Sequence, residues 1–232
     1  MQSIIYLSFM AIDINGGSYQ LSNYLKFGFI VICFFYVLIC AKNNNMKQFT
    51  YLRLALALTL ISDLLILLLD QYLFGVMTFI LVQQLYGIRM DILQRDLFKS
   101  KIIIIKQLQK NLVIGFITAV ICVSFIYLKI KLDLLLLLTT FYFICFLVNG
   151  LYAFNLAKKF RHDRGIVLFA IGIFLFLLCD INVGIYNAAE YITLSEKLYS
   201  VLYTLSSVLM WAFYAPAQVL ISLSGQYIGD NR

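Results

Sequence analysis

The sequence predicts an all-α polytopic membrane protein: a bundle of seven transmembrane helices, or eight if a short N-terminal segment also crosses. Three observations carry that prediction. Of the 232 residues, 63% are hydrophobic and only 12% charged, where soluble domains run nearer ~25% charged. Proline occurs once, and mean hydropathy is +0.93. The apolar residues fall in long stretches close to the ~20 residues a helix needs to cross a bilayer. A porin-type barrel would read as short alternating strands, and nothing here alternates. No length remains for a sizeable soluble domain, so residues 1–232 are read as one transmembrane helical domain.

Taken in order, the chain opens with the apolar run Ile4–Ile12. It has no basic residue before it and no small-residue cleavage site after it, so it does not read as a signal peptide. It is also too short to span a bilayer alone. Residues 1–20 are therefore expected to form a short outer or interfacial segment, partly helical. Seven spans follow, at roughly 21–41, 49–69, 72–90, 111–129, 133–155, 165–187 and 197–224. The second and third are joined by the tight polar turn Asp70-Gln71-Tyr72. The longest loop is 91–110, where Lys101-Ile-Ile-Ile-Ile-Lys106 suits either a helix lying in the interface or an extension of the fourth span. Tyr51, Tyr72, Tyr127, Tyr186, Tyr191 and Tyr199 fall near span ends, where aromatic belts anchor helices. Cys33, Cys40, Cys122, Cys145 and Cys179 are scattered singly, with no CxxC pair, so neither a metal site nor a disulfide framework is expected. They read as small packing residues.

The basic residues set the expected orientation. Of 18 Lys and Arg residues, all but Lys26, Lys129, Lys131 and Lys197 collect on one side of this topology. By the positive-inside rule that side, with the C-terminus, is cytoplasmic, and a bacterial-type plasma membrane is the expected setting. The net charge of +7 does not point to nucleic acid, because the basic residues sit in short loops between apolar spans. Membrane lipids are the expected surroundings, and no soluble partner is implied.

Polar residues inside the spans carry the functional signal. Span 2 has Thr59, Asp63 and Asp70 at spacings of four and seven, one helix face. Span 3 has Gly75, Phe79, Gln83 and Tyr86, again one face, with Gln84 beside Gln83. Span 5 has Tyr142 and Asn149. Span 6 has Gly172, Phe176, Asp180, Gly184 and Asn187. Span 7 has Trp211, Tyr214, Gln218 and Ser222, with Pro216 among them. Asn149, Thr59 and Ser222 read as interhelical glue, and Gly75, Gly172 and Gly184 as points of close helix approach. Asp63 and Asp180 do not read as glue, because a carboxylate in a bilayer costs at least ~3 kcal/mol and usually marks a functional cavity. A weak echo relates Leu60-Ile61-Ser62-Asp63-Leu64 to Leu177-Leu178-Cys179-Asp180-Ile181, compatible with a parallel duplication.

Several chemistries are excluded. The single histidine, His162, lies in a basic loop, so a Ser-His-Asp triad is not available in the spans. GxSxG and GxxxxGK[ST] do not occur. No histidine set suits zinc, and no lysine lies inside a late span for a retinal linkage. Any reaction must rest on carboxylates, amides, tyrosines and water, without a metal or cofactor.

Three segments, in order, resemble the YhhN-type lysoplasmalogenase family. Ser62-Asp63, followed by Gly75-Val76-Met77-Thr78-Phe79 and Tyr86, resembles the family's GD and G-x-x-x-F…A-H-x-x-Y motifs. Gly172-Ile173-Phe174-Leu175-Phe176-Leu177-Leu178-Cys179-Asp180 is similar to G-A-x-x-F-x-x-S-D. Phe213-Tyr214-Ala215-Pro216-Ala217-Gln218-Val219-Leu220-Ile221 is similar to Y-Y-x-x-Q-x-L-I. The resemblance covers roughly residues 21–224. Gln83 stands where the family often has histidine, Ser62 and Cys179 replace the residues before the two aspartates, and Asn149 falls where methionine is common. Family members usually have eight spans, of which the first is short or lost here.

The resemblance implies hydrolysis of the vinyl-ether bond of a lysoplasmalogen, giving a fatty aldehyde and a glycerophospho-alcohol. That chemistry starts with proton transfer to the β-carbon, and the resulting oxocarbenium ion captures water. It needs one protonated acid and one nearby anion or base, as in glycosidases. Asp63 and Asp180 are the expected catalytic pair, with either order of roles. Gln83, Tyr86, Tyr214, Gln218 and Asn149 are expected to line the cavity that holds the lysolipid. Two other classes fit the same residues: a small-molecule or proton-coupled transporter using the aspartates as relays, and a non-catalytic lipid-binding membrane protein.

Overall fold

The computed structural model describes residues 2–40, 47–94, 100–192 and 195–227. They form eight α-helices: α1 (Gln2–Ile14), α2 (Tyr19–Cys40), α3 (Lys47–Asp63), α4 (Tyr72–Gln94), α5 (Ser100–Tyr127), α6 (Leu134–Lys159), α7 (Arg164–Asn187) and α8 (Glu196–Tyr227). Seven are long and apolar enough to cross a membrane; α1, with 13 residues, is not. The protein is an all-α, multi-pass membrane bundle. The basic loop residues Lys42, Arg95 and Lys99 and the C-terminal Arg232 lie outside the described residues.

Local signals fix the helix ends. Asp133 caps α6 by accepting from the Leu136 amide at 2.7 Å, and Asp163 caps α7 by accepting from the Ile166 amide at 3.1 Å. Such caps satisfy amide groups that a helix start leaves unpaired. Lys158 and Lys159 close α6, at its negative end. Lys101–Lys106 belongs to α5, which runs unbroken from Ser100, so the extension reading of this stretch is the observed one.

After Asp63, α3 loosens into a π-helical turn, Leu64–Leu68. The wider turn shifts the face of everything beyond it. Asp70 then sits in the exposed turn itself, with φ +52°. It therefore does not share the face of Thr59 and Asp63, because the face expected from a regular α-helix ends at the π turn. In α4, Gly75 faces this region: a Cβ there would overlap the Ile66 side chain, and Ser62 donates to the Gly75 carbonyl at 2.6 Å.

Contacts between helices follow a ring: α2 packs on α3, α3 on α4, α4 on α6, α6 on α7, α7 on α8 and α8 on α2. α1 lies outside, on α2 and α8, and α5 lies outside, on α6 and α4. The first four helices thus repeat the contacts of the last four, as in membrane folds built from parallel repeats. The echo around Asp63 and Asp180 falls on the equivalent helices α3 and α7. One apolar core fills the ring and includes Phe9 of α1, fully buried between Phe29 and Trp211. α5 is held by a separate small cluster, Ile114 with Ile144 and Cys145.

The tightest approach is between α7 and α8. A Cβ on Gly172 would lie 3.1 Å from the Ala217 carbonyl oxygen and 3.1 Å from the Ile221 nitrogen. Gly184, by contrast, is exposed, with nothing near its missing Cβ, so it allows no helix contact. Four of the five cysteines are buried as packing residues, while Cys40 is exposed at the end of α2.

Candidate functional site

Asp63 and Asp180 project from α3 and α7, and each accepts a hydrogen bond from a tyrosine of a neighbouring helix. Tyr214 of α8 donates to Asp63 Oδ2 at 2.6 Å, and Tyr142 of α6 donates to Asp180 Oδ2 at 2.6 Å. Asp63 is only 5% exposed, whereas Asp180 is half-buried. No other hydrogen bond reaches either carboxyl group among the described residues, so each keeps an oxygen for another partner.

The two pairs are joined by aromatic rings rather than by a shared hydrogen bond. Phe176 lies 5.1 Å from the Tyr214 ring and 5.7 Å from Phe79, and Phe79 lies 6.0 Å from Tyr142. Phe146 makes a second link, 4.9 Å from Phe176 and 5.9 Å from Tyr142. Cys179, the residue before Asp180, lies in the electrostatic field of both carboxyls. Two carboxyl–phenol pairs therefore flank one aromatic cluster, with the Cys179 thiol beside Asp180.

The remaining expected residues divide into two groups. Gln83 and Asn149 meet on α4 and α6: the Asn149 amide donates to the Gln83 Oε1 at 3.0 Å and to its carbonyl at 2.8 Å. Gln83 also neighbours Tyr142. Lys110 of α5 donates to Asn149 Oδ1 at 3.3 Å. Gln84 turns away and reaches Cys145 Sγ at 3.7 Å. Tyr86 and Gln218 are fully buried; the Tyr86 hydroxyl meets Thr59 of α3, and the Gln218 amide has no hydrogen-bond partner among the described residues. Tyr86 lies in the field of both Asp63 and Arg89. Of the three residues expected as interhelical glue, Asn149 bonds across helices, and the hydroxyls of Thr59 and Ser222 also meet Tyr86 of α4 and Cys33 of α2. Thr59 and Ser222 donate back to Ala55 and Gln218 of their own helices, at 3.0 and 2.7 Å, a common way for hydroxyls to be satisfied inside a helix.

Charged residues were the hardest to place from sequence. Lys26, read as a loop residue, is buried on α2; it pairs with Asp13 of α1 at 2.7 Å and lies 4.8 Å from the Trp211 ring centre. Arg89, also read as a loop residue, is 1% exposed. It donates to Ser224 Oγ at 3.0 Å and stacks 4.3 Å from the Phe169 ring centre. Helical spacing did carry a signal, since Arg89 follows Tyr86 by three residues on one face. Asp91 is likewise buried and accepts from Tyr152 at 2.8 Å and Gln107 at 3.1 Å. Tyr142, named on a polar face but not as a site residue, is the hydrogen-bond partner of Asp180. Among the described residues no cluster of His, Cys, Asp and Glu has the makings of a metal site.

Fold and site together define a class: a multi-pass helical membrane protein whose bundle encloses two tyrosine-bound carboxyl groups. No family model matches the chain, and neither does any curated protein or solved structure.

Proposed function

We propose that the chain is an integral membrane hydrolase of the lysoplasmalogenase type, cleaving the vinyl-ether bond of a lysoplasmalogen to a fatty aldehyde and a glycerophospho-alcohol. One observation carries this reading: two intramembrane aspartates, each bound to a tyrosine hydroxyl at 2.6 Å, flank the aromatic cluster around Phe176. The three motif resemblances support it, since they contain both aspartates, Tyr214 and Gln218.

In this mechanism one aspartic acid gives its proton to the β-carbon of the vinyl ether. The other, ionised, stabilises the oxocarbenium ion and takes a proton from the attacking water. The hemiacetal then collapses to aldehyde and alcohol. Tyr142 and Tyr214 hold the carboxyl groups in place, and the surrounding phenylalanines keep bulk water from the cation. Purified protein in detergent, given a lysoplasmalogen, should release aldehyde, and protein carrying both Asp63→Asn and Asp180→Asn should not. Absence of aldehyde from the unmodified protein sinks the reading.

A proton-coupled carrier is the second reading. What favours it is the set of polar groups on facing helices, Tyr142 bound to Asp180 and Gln83 bound through Asn149 to Lys110. Substrate-dependent proton flux in liposomes, without aldehyde release, would select it. Orientation belongs to the same proposal: the ends of α6 and α8 face the cytoplasm, following the basic residues. In a cysteine-free background, a cysteine placed at Phe160 should resist impermeant reagents in intact cells, and reaction there would reverse the orientation.

A further inference from the structure

Arg89 is the most deeply buried cation among the described residues, and its hydrogen bonds are incomplete. Nη2 reaches Ser224, while Nε and Nη1 have no partner. Among the described residues no carboxylate forms an ion pair with it; the one whose field it feels, Asp163, caps α7. Leaving donors of a buried cation unpaired is costly, so a missing acceptor is expected.

Its surroundings fit a phosphate. Tyr86, one turn earlier on α4, packs on the same Phe169 ring, at 5.4 Å, and among the described residues its buried hydroxyl has beside it only the Thr59 hydroxyl, which already donates to Ala55. Ser224 accepts from Arg89 and donates to the Ile221 carbonyl at 2.6 Å, which fixes the guanidinium. The free groups are therefore donors on one aromatic platform. A guanidinium's planar fork suits phosphate oxygens better than an ammonium does.

We infer that Arg89, with Tyr86, binds the phosphate of a single-chain lipid. The lipid part of this inference rests on the hydrolase reading; the phosphate part does not.

The test uses a saturated 1-O-alkyl-lysophosphocholine, which has no vinyl ether and so is bound without being cleaved. Its affinity for the purified full-length protein is compared with that of the 1-O-alkylglycerol of equal chain length. The phosphate should strengthen binding about 10-fold or more, the worth of hydrogen bonds to a charged group. Arg89→Gln should erase that preference and leave alkylglycerol binding unchanged, and Arg89→Lys should keep part of it. Inorganic phosphate displacing the lipid at equal concentration would assign the same site to a soluble phosphate anion. A phosphate preference that survives Arg89→Gln, or none in the unmodified protein, overturns the site. If Arg89→Gln does not elute as a folded monodisperse protein, Tyr86→Phe decides: it should lower the ratio of lysophosphocholine to alkylglycerol affinity, and an unchanged ratio overturns the site. Aldehyde release from the vinyl-ether form, measured separately, reports on the hydrolase reading alone.

Discussion

Tyr214 donates its hydroxyl to Asp63 at 2.6 Å, joining α8 to α3 across 151 residues of chain. The bond gives a buried carboxyl group its one partner. Asp180 has a partner of the same kind in Tyr142, on a different helix. The predictions below follow from these pairs and from the packing that sets them.

Asparagine is nearly isosteric with aspartate, forms hydrogen bonds, and neither donates an acidic proton nor carries charge. Asp63→Asn and Asp180→Asn should each lower turnover at least ~10²-fold, the low end for general acid–base catalysis, while the protein still folds. The rate of the unmodified protein should fall on both sides of a pH optimum, with apparent pKa values that belong to the pair. His162→Ala should leave that profile unchanged. Aldehyde release near the unmodified rate from both asparagine variants would end the two-carboxylate mechanism.

Tyr214→Phe removes the hydroxyl and leaves Asp63 buried without a donor. The expected loss is about 1–3 kcal/mol of stability, the cost of an unsatisfied buried polar group. Tyr142→Phe should cost less, because Asp180 is half-buried and has more access to water. Thermal unfolding in one detergent compares the two, and a larger loss for Tyr142→Phe would contradict the burial difference.

The glycines offer a test of packing. Gly172→Ala pushes a Cβ against the backbone of α8, which cannot move aside as a side-chain tip can, so about 1–3 kcal/mol should be lost. Gly184→Ala meets open space and should gain up to ~1 kcal/mol from helix propensity. Unfolding measurements that rank these variants the other way would refute the close α7–α8 approach.

The Asp13–Lys26 pair, with side chains 18% and 7% exposed, ties α1 to α2. Ser22 adds a hydrogen bond to the same carboxylate at 2.5 Å. Lys26→Met alone should cost about 1–3 kcal/mol, since it leaves a half-buried carboxylate with Ser22 as its remaining partner, and adding Asp13→Leu should recover most of the loss. A double variant no more stable than Lys26→Met would show that α1 is not held by this pair.

Much of this was legible in the sequence, for a physical reason. A bilayer demands long, uniformly apolar helices, and that demand leaves a pattern visible in one dimension; all seven spans appear, six of them within a few residues of their expected ends, while the fourth begins at Ile104 rather than near 111. A carboxylate in such a stretch is costly, so Asp63 and Asp180 stood out without coordinates. The helix faces of Gln83, Tyr86, Tyr214 and Gln218 followed from spacing alone.

Only the tertiary structure decided which polar groups meet. Partners such as Tyr214 and Asp63 are far apart in sequence, and spacing along one helix says nothing of its neighbour. The π turn at Leu64–Leu68 broke the helical periodicity, which moved Asp70 off the face that simple spacing assigned to it. Lys26 and Arg89 read as loop charges because charge marks a span's edge in sequence. Whether such a residue turns outward to water or inward to a partner depends on the carboxylate, hydroxyl or aromatic ring that another helix brings to it, and for these two that meant Asp13, Ser224, Phe169 and Trp211.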